Sequence, residues 1–341
     1  MKRFVVLAAA LSACTSTAFA QFNYCSIDYP AGFGTYARGI NDNGEIIGSY
    51  NDQNGNLHAL LIQHNTFIPL APTSVLGTEY SDAYKINNRG QVVGEECDST
   101  GCHGFLYSNG VVTLLNYPGA SDTFAWGINN FGEIVGWWQT APDVNNNVYY
   151  HGFEWVNGKF KELNFPHSGD TYATGNNDFF SVVGGWDSGP TTTTEQGFAS
   201  WFGEYFNIEA PFPGVAYTQP NGINDFGLMV GEEYTAAEWQ SGDGHGFLSI
   251  DGFYYAQLNY PGAADGTTAW GINTQGDMVG NWYDADNGVH GWLVQPRSAS
   301  CPTFQTEGPD VSSSTQVKPE ATTDKKTEQI KLPEQLQKLQ R

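Results

Sequence analysis

Five of the seven histidines, His58, His103, His151, His245 and His290, head near-identical triplets: His-Gly-Phe at 103, 151 and 245, His-Gly-Trp at 290 and His-Ala-Leu at 58. Clustered imidazoles are what a metal centre or a general base requires. These stand at one repeat position in successive copies of a unit, so they cannot converge on a single ion. They read as structural, each ring hydrogen-bonding within its own unit.

A second set closes a segment that recurs six times. The copies are "GINDNGEIIGSY" from Gly39, "KINNRGQVVGEE" from Lys85, "GINNFGEIVGWW" from Gly127, "GNNDFFSVVGGW" from Gly175, "GINDFGLMVGEE" from Gly222 and "GINTQGDMVGNW" from Gly271. The last residue reads Tyr50, Glu96, Trp138, Trp186, Glu233 and Trp282. Rings that stack on a sugar, beside carboxylates that accept hydrogen bonds from its hydroxyls, suit a glycan site. These six are the candidate ligand-binding residues. The alternative is a carbohydrate-active enzyme, a glycoside hydrolase or polysaccharide lyase. Retaining hydrolysis needs carboxyls about 5–5.5 Å apart and inverting hydrolysis about 6.5–9.5 Å. Glu96 and Glu233 lie three units apart, on opposite sides of a ring, so the loop acids Asp122, Asp170 and Asp265 carry that alternative. No catalytic residue is assigned, and the leading reading is a non-catalytic binding or scaffold module.

The acidic turns "PDVNNN" (142–147) and "YDADNG" (283–288) resemble calcium loops but lack the alternating carboxylates and terminal Glu of an EF-hand. Hairpin turns account for them equally well. No metal or other cofactor is assigned, with calcium as the minority alternative.

The elements that position these residues follow from the repeat. The isoleucine of each segment, or its equivalent, falls at 40, 86, 128, 176, 223 and 272. A period in the forties fits propeller blades or helical solenoids. Short segments rich in Val, Ile, Phe, Tyr and Trp, broken by Gly, Asn and Pro, select strands. In the third copy "TFAWGIN", "EIVGWW", "HGFEWV" and "KFKELNF" read as four strands, the last two joined by an Asn-Gly turn. Six copies of four antiparallel strands make an all-β, six-bladed β-propeller. A hydroxyl five residues before each isoleucine (Thr35, Ser81, Thr123, Thr171, Thr218, Thr267) and an Asn one residue after it (Asn41, Asn87, Asn129, Asn177, Asn224, Asn273) read as scaffold. The Asn suits a turn whose backbone its side chain holds. Links from second to third strand, and from fourth strand to the next blade, share one face and are the longer ones, so function is expected there.

The ends of the chain support closure. "FNYCSIDYP", from Phe22, matches the fourth-strand segments "LNYPG" at 115–119 and 258–262, whereas the sixth copy stops at its third strand. The N-terminal strand therefore completes the last blade. That places Cys25 beside Cys301, and Cys97 faces Cys102 across a hairpin: two expected disulfides.

Residues 1–20 read as a signal peptide: Lys2 and Arg3, an apolar run, and Ala18-Phe19-Ala20. Secretion or periplasmic export is the expected location. "LSAC" at 11–14 offers lipid anchoring through Cys14 as the alternative. The ring is assigned to 21–301 and a disordered polar tail to 302–341. Between Gln21 and Cys301 stand 6 Lys and Arg against 30 Asp and Glu. That balance argues against nucleic acid or an anionic membrane as partner. A glycan or cell-surface ligand is compatible with it, no membrane span is expected, and the oligomeric state is left open.

The triplets, together with Gln196-Gly197-Phe198 in the fourth copy, resemble the HAF repeats of bacterial extracellular proteins. That family pairs a His-Ala-Phe triplet with a "GIN-x-x-G-x-VVG" segment. The resemblance covers roughly residues 22–295. It implies an exported, propeller-like protein and brings no activity with it. Here Gly usually replaces the middle Ala, and the fourth copy has Gln196 for His and Phe180 for the turn Gly.

Overall fold

The structure, a computed structural model, describes residues 22–70, 80–189, 195–241, 244–296, 298 and 300–306. The expected signal peptide, the Cys14 alternative and the tail beyond Thr306 lie outside the described residues. Six sheets of antiparallel strands form the ring, each in the order inner, second, third, outer. The inner strands are Gly34–Ile40, Ser81–Ile86, Asp122–Ile128, Asp170–Asn176, Val215–Ile223 and Thr267–Ile272. The sixth sheet takes its outer strand from Tyr24–Ile27, paired with Val289–Val294. The chain is a six-bladed β-propeller closed by its N-terminal strand.

One departure from regular pairing repeats in every blade. The inner strand carries an extra residue between the third position before the isoleucine and the first, as between Ala125 and Gly127. This bulge brings the inner backbone against the Gly of each "VVG" or its equivalent. A Cβ on Gly136 would lie 1.9 Å from the Phe124 carbonyl oxygen, and the other five copies give 1.9–2.1 Å. Any side chain there would break the blade. The third-strand Phe105, Phe153, Phe198, Phe247 and Trp292 fill the space beside these glycines and are fully buried. Burying such a ring stabilises by roughly 1.5–3 kcal/mol relative to exposure.

The repeated polar residues form ties. Thr35, Thr123, Thr171, Thr218 and Thr267 each accept, at 2.9–3.1 Å, the backbone N–H of the incoming link at Tyr29, Tyr117, Phe165, Ala210 and Tyr260. On the tight-turn face every repeat Asn closes its own turn and then reaches its neighbour. Asn129 Oδ1 accepts the N–H groups of Phe131 and Glu133, and its Nδ2 donates to the Asn177 carbonyl at 3.2 Å. Asn41, Asn87, Asn129, Asn177, Asn224 and Asn273 do this in succession, and Asn273 returns to Asn41, closing a circle of six hydrogen bonds from side-chain amide to backbone carbonyl. The turn role was legible in the sequence; the circle was not.

The fourth blade keeps its geometry despite its departures. Phe180 adopts φ 60°, in the left-handed region where the other five turns place Gly. An L-residue pays roughly 1–2 kcal/mol for that conformation.

Both expected disulfides are present, Cys25–Cys301 and Cys97–Cys102. The ring extends past the expected boundary at 301. Phe304 packs on Phe67 with centroids 5.7 Å apart, and Gln305–Thr306 pairs in parallel with Thr66–Phe67 on the first blade. One helical turn, Glu238–Ser241, interrupts a long-face link of blade 5. It is held by Glu238 N–H on Thr235 Oγ1 and Thr235 N–H on Glu238 Oε2. Among the described residues no helix is long and apolar enough to cross a membrane.

Candidate functional site at the axial mouth

The six sequence-predicted residues do not converge, and their rings are not open. Trp282 lies between Tyr260, with centroids 4.4 Å apart and planes 2° apart, and His290 at 4.2 Å and 18°. Trp138 stacks on Tyr117 at 4.5 Å and touches His151; Trp186 stacks on Phe165 at 4.3 Å. Tyr50 repeats the pattern between Tyr29 and His58. Glu96 is fully buried, and Glu233 is buried with Oε1 accepting from Gln257 Nε2 at 2.6 Å; burial raises the Glu233 pKa. The correction is one of parity. Alternation turns the last residue of each segment toward the incoming link from the preceding blade, and the residue before it toward the axis.

The histidines complete these ties. His290 bridges Asp28 at 2.6 Å and Asp284 at 3.1 Å; His103 reaches Asn116 and Thr100, His245 reaches Asn259, and His58 reaches Asp52. The acidic turns are closed the same way. Asp143 Oδ1 accepts the N–H groups of Asn145 and Asn147, and Asp284 Oδ1 those of Asp286 and Gly288. Asp122 and Asp170 accept the Cys102 and Tyr150 N–H groups, pinning the preceding blade.

The residues that do converge are the bulge residues and the second-strand residues of the other parity. Arg38, Tyr84, Trp126 and Trp270, from blades 1, 2, 3 and 6, meet on the axis. The Arg38 guanidinium lies 4.7 Å from the Trp270 ring and 4.8 Å from Tyr84, and pairs with Asp82 at 2.8 Å. Tyr84 stacks on Trp126 at 4.6 Å, and Trp126 meets Trp270 at 5.9 Å. These rings plug the axis. Beneath them Lys85, alone among the repeats in replacing Gly, donates to the Trp270 and Arg38 carbonyls at 2.7 and 3.2 Å. Burial, then the Arg38 charge, lowers its pKa to about 7. The cavity there is about 70 Å³. Ligand pockets run to roughly 300–1,000 Å³, so this one suits waters rather than an organic ligand.

Above the plug, on the long-loop face, the mouth carries two contrasting sets of side chains. One is aromatic: Trp137 stacks on Phe124 at 3.7 Å and meets Tyr150 and Tyr172 edge-on at 5.4 and 5.5 Å. The other is carboxylic. Glu95 is buried beside Asp82; burial, then that charge, pushes its pKa up to about 7. Gly185 occupies the position held by Trp137 in blade 3, and Glu195 from the adjoining link fills the space it leaves. Burial, then the charges of Glu232, Asp187 and Asp170, pushes Glu195 up to about 8. Burial raises Glu232 too, and lifts Asp170 to about 6. Buried polar atoms gather here: the Trp126 indole N–H lies against the Glu95 carboxyl, and Trp137 Nε1, Arg38 Nε and Asn221 Oδ1 have no hydrogen-bond partner among the described residues. The site thus gathers half-buried aromatic rings, indole N–H groups, and carboxyls that accept or donate near neutral pH.

No family model and no curated protein matches the chain. Solved propellers resemble it in fold. The β-propeller domain of the Trilobed protease from Pyrococcus furiosus is 11% identical, covering 77% of this chain and 82% of its own, with a TM-score of 0.49. The six-bladed, fucose-recognising lectin of Aleuria aurantia is 11% identical over 84% of this chain and 96% of its own, at 0.46. A mutant of AofleA from Arthrobotrys oligospora is 12% identical over 80% and 86%, at 0.47.

Proposed function

We propose that the chain is an exported, non-catalytic binding propeller whose ligand is a carbohydrate held at the axial mouth. The observation that carries this reading is the pairing of the Trp137, Phe124 and Tyr172 rings with the Glu95, Glu195 and Glu232 carboxyls. Apolar rings take the C–H faces of a sugar, and a few fixed polar groups take its hydroxyls. The rings that meet on the axis close it beneath these groups, which suits holding a ligand rather than passing one. Two disulfides suit an oxidising compartment and support export. The test is a glycan array followed by titration calorimetry, with reducing-end release assayed in parallel. Trp137→Ala and Glu195→Gln are expected to weaken binding by at least about tenfold while the proteins stay folded. Failure to bind any glycan, or undiminished affinity in both variants, rejects the reading. Sugar release that Glu95→Gln and Glu195→Gln abolish replaces it with the hydrolase.

A further inference from the structure

The opposite face carries a feature that the mouth does not use. On the tight turns of blades 3, 4 and 5, Phe131, Phe179, Phe180, Phe202, Phe226 and Phe253 are 63%, 61%, 57%, 89%, 57% and 82% exposed. The Phe131 and Phe180 rings lie parallel, 6.3 Å apart, across the boundary of two blades. At the position of Phe131 the first, second and sixth blades have Asn43, Arg89 and Gln275, so one half of the face is apolar and the other polar. Phe180 and Phe202 also hold left-handed φ values of 60° and 54°. Neither residue serves the fold: the rings stay in water and the backbone resists a β-carbon there. Exposed apolar patches of this kind mark contact surfaces.

Charge indicates what covers the patch. Among the described residues the cations away from the axis are Arg89, Lys159 and Lys161, all at the blade 2–3 end of the patch. Lys161 is paired with Glu154 at 3.4 Å. Exposed Glu204 and Asp251 share the turns of Phe202 and Phe253 at the other end. The rest of this acidic chain repels a second copy, but a two-fold contact exchanging the ends of this patch sets Arg89 and Lys159 against Glu204 and Asp251 twice. We infer that the tight-turn face of blades 3–5 is a self-association surface joining two copies of the chain about a two-fold axis, with both axial mouths facing outward.

Sedimentation equilibrium of the purified protein tests this. A dimer is expected at micromolar concentration, and Phe180→Gly combined with Phe202→Asn, which suits both turns, should raise the dissociation constant more than about tenfold. The doubly reversed R89E/K159E and E204K/D251K proteins should each be monomeric, yet form a heterodimer when mixed, because both halves of the contact are then complementary. A monomeric wild-type protein overturns the proposal, as does a dimer that survives the Phe double variant, or reversed proteins that fail to pair. Monomer that floats with phosphatidylcholine vesicles in a Phe180-dependent way also overturns it, and assigns the face to a lipid surface instead.

Discussion

Replacing Trp282 with Ala separates the two uses an aromatic ring can have in this protein. The indole is half-buried and covered on one face by Tyr260 and on the other by His290. Truncating a core Trp costs about 3–5 kcal/mol, and stacked pairs add about 0.5–1.5 kcal/mol each beyond area. Partial exposure of the ring puts the expected loss near the lower figure, about 3 kcal/mol. A domain of this size shifts by about 2–4 °C per kcal/mol, so melting should fall by about 6–12 °C. Trp282→Phe, which keeps a ring in the stack, should lose less than half of that. Thermal melts by circular dichroism and glycan titration on the same samples provide both readouts. Because Trp282 faces away from the mouth, affinity of the folded variant should not change. A variant that melts within about 2 °C of the parent but binds tenfold more weakly would refute the stacking argument and return the ligand to this ring.

Two further outcomes follow from the buried polar groups. The Glu95 pKa is raised from 4.5 to about 7, so the folded state holds this proton more tightly than the unfolded chain. Its contribution is therefore fully present below about pH 4.5 and is lost as pH rises toward 7. Glu95→Gln, fixed in the neutral form, should match the parent in urea unfolding near pH 4.5 and exceed it near pH 8; an equal difference at both values contradicts the assignment. Asn129→Ala removes two turn-closing bonds, one bond to the Glu133 carboxylate and one to the next blade, and at about 1 kcal/mol each should lose about 4 kcal/mol. Asn129→Ser keeps a turn acceptor without adding a charge beside Glu133 and loses the reach to the next blade, so urea midpoints should place it between the two; a midpoint equal to the parent's would show that the circle of amides contributes nothing beyond the turn.

Much of the fold was legible because it is written in phase. The period fixed the number of blades, the stray fourth-strand match at "FNYCSIDYP" fixed closure, and the strand assignments brought the right cysteines together. The site was less legible because it depends on parity. Trp137 and Trp138 are neighbours of identical type, and alternation sends one to the mouth and the other into a stack with Tyr117. The bulge hides Arg38, Tyr84, Trp126 and Trp270, since "FAWGI" reads as ordinary alternation until its partners are known. The test applied to the last residue of each segment, departure from sixfold identity, would have found them two places before the isoleucine. The Thr235-x-x-Glu238 pattern was likewise a readable helix start, and Phe304 was the aromatic that carried the ring past Cys301.

Closing a ring with its own first strand imposes an order in time. Cys25 emerges 276 residues ahead of its partner, which arrives only once the sixth blade has formed. Throughout that wait the early thiol shares the chain with Cys97 and Cys102. Those two lie 5 residues apart and face each other in register across one hairpin, so their encounter needs only a short loop to close, the fastest kind of contact a chain makes. Their bond removes both competitors before the last blade appears, leaving Cys301 as the partner for Cys25 within the ring. The small crosslink thus protects the fidelity of the large one: it clears the route by which the earliest strand finds the latest.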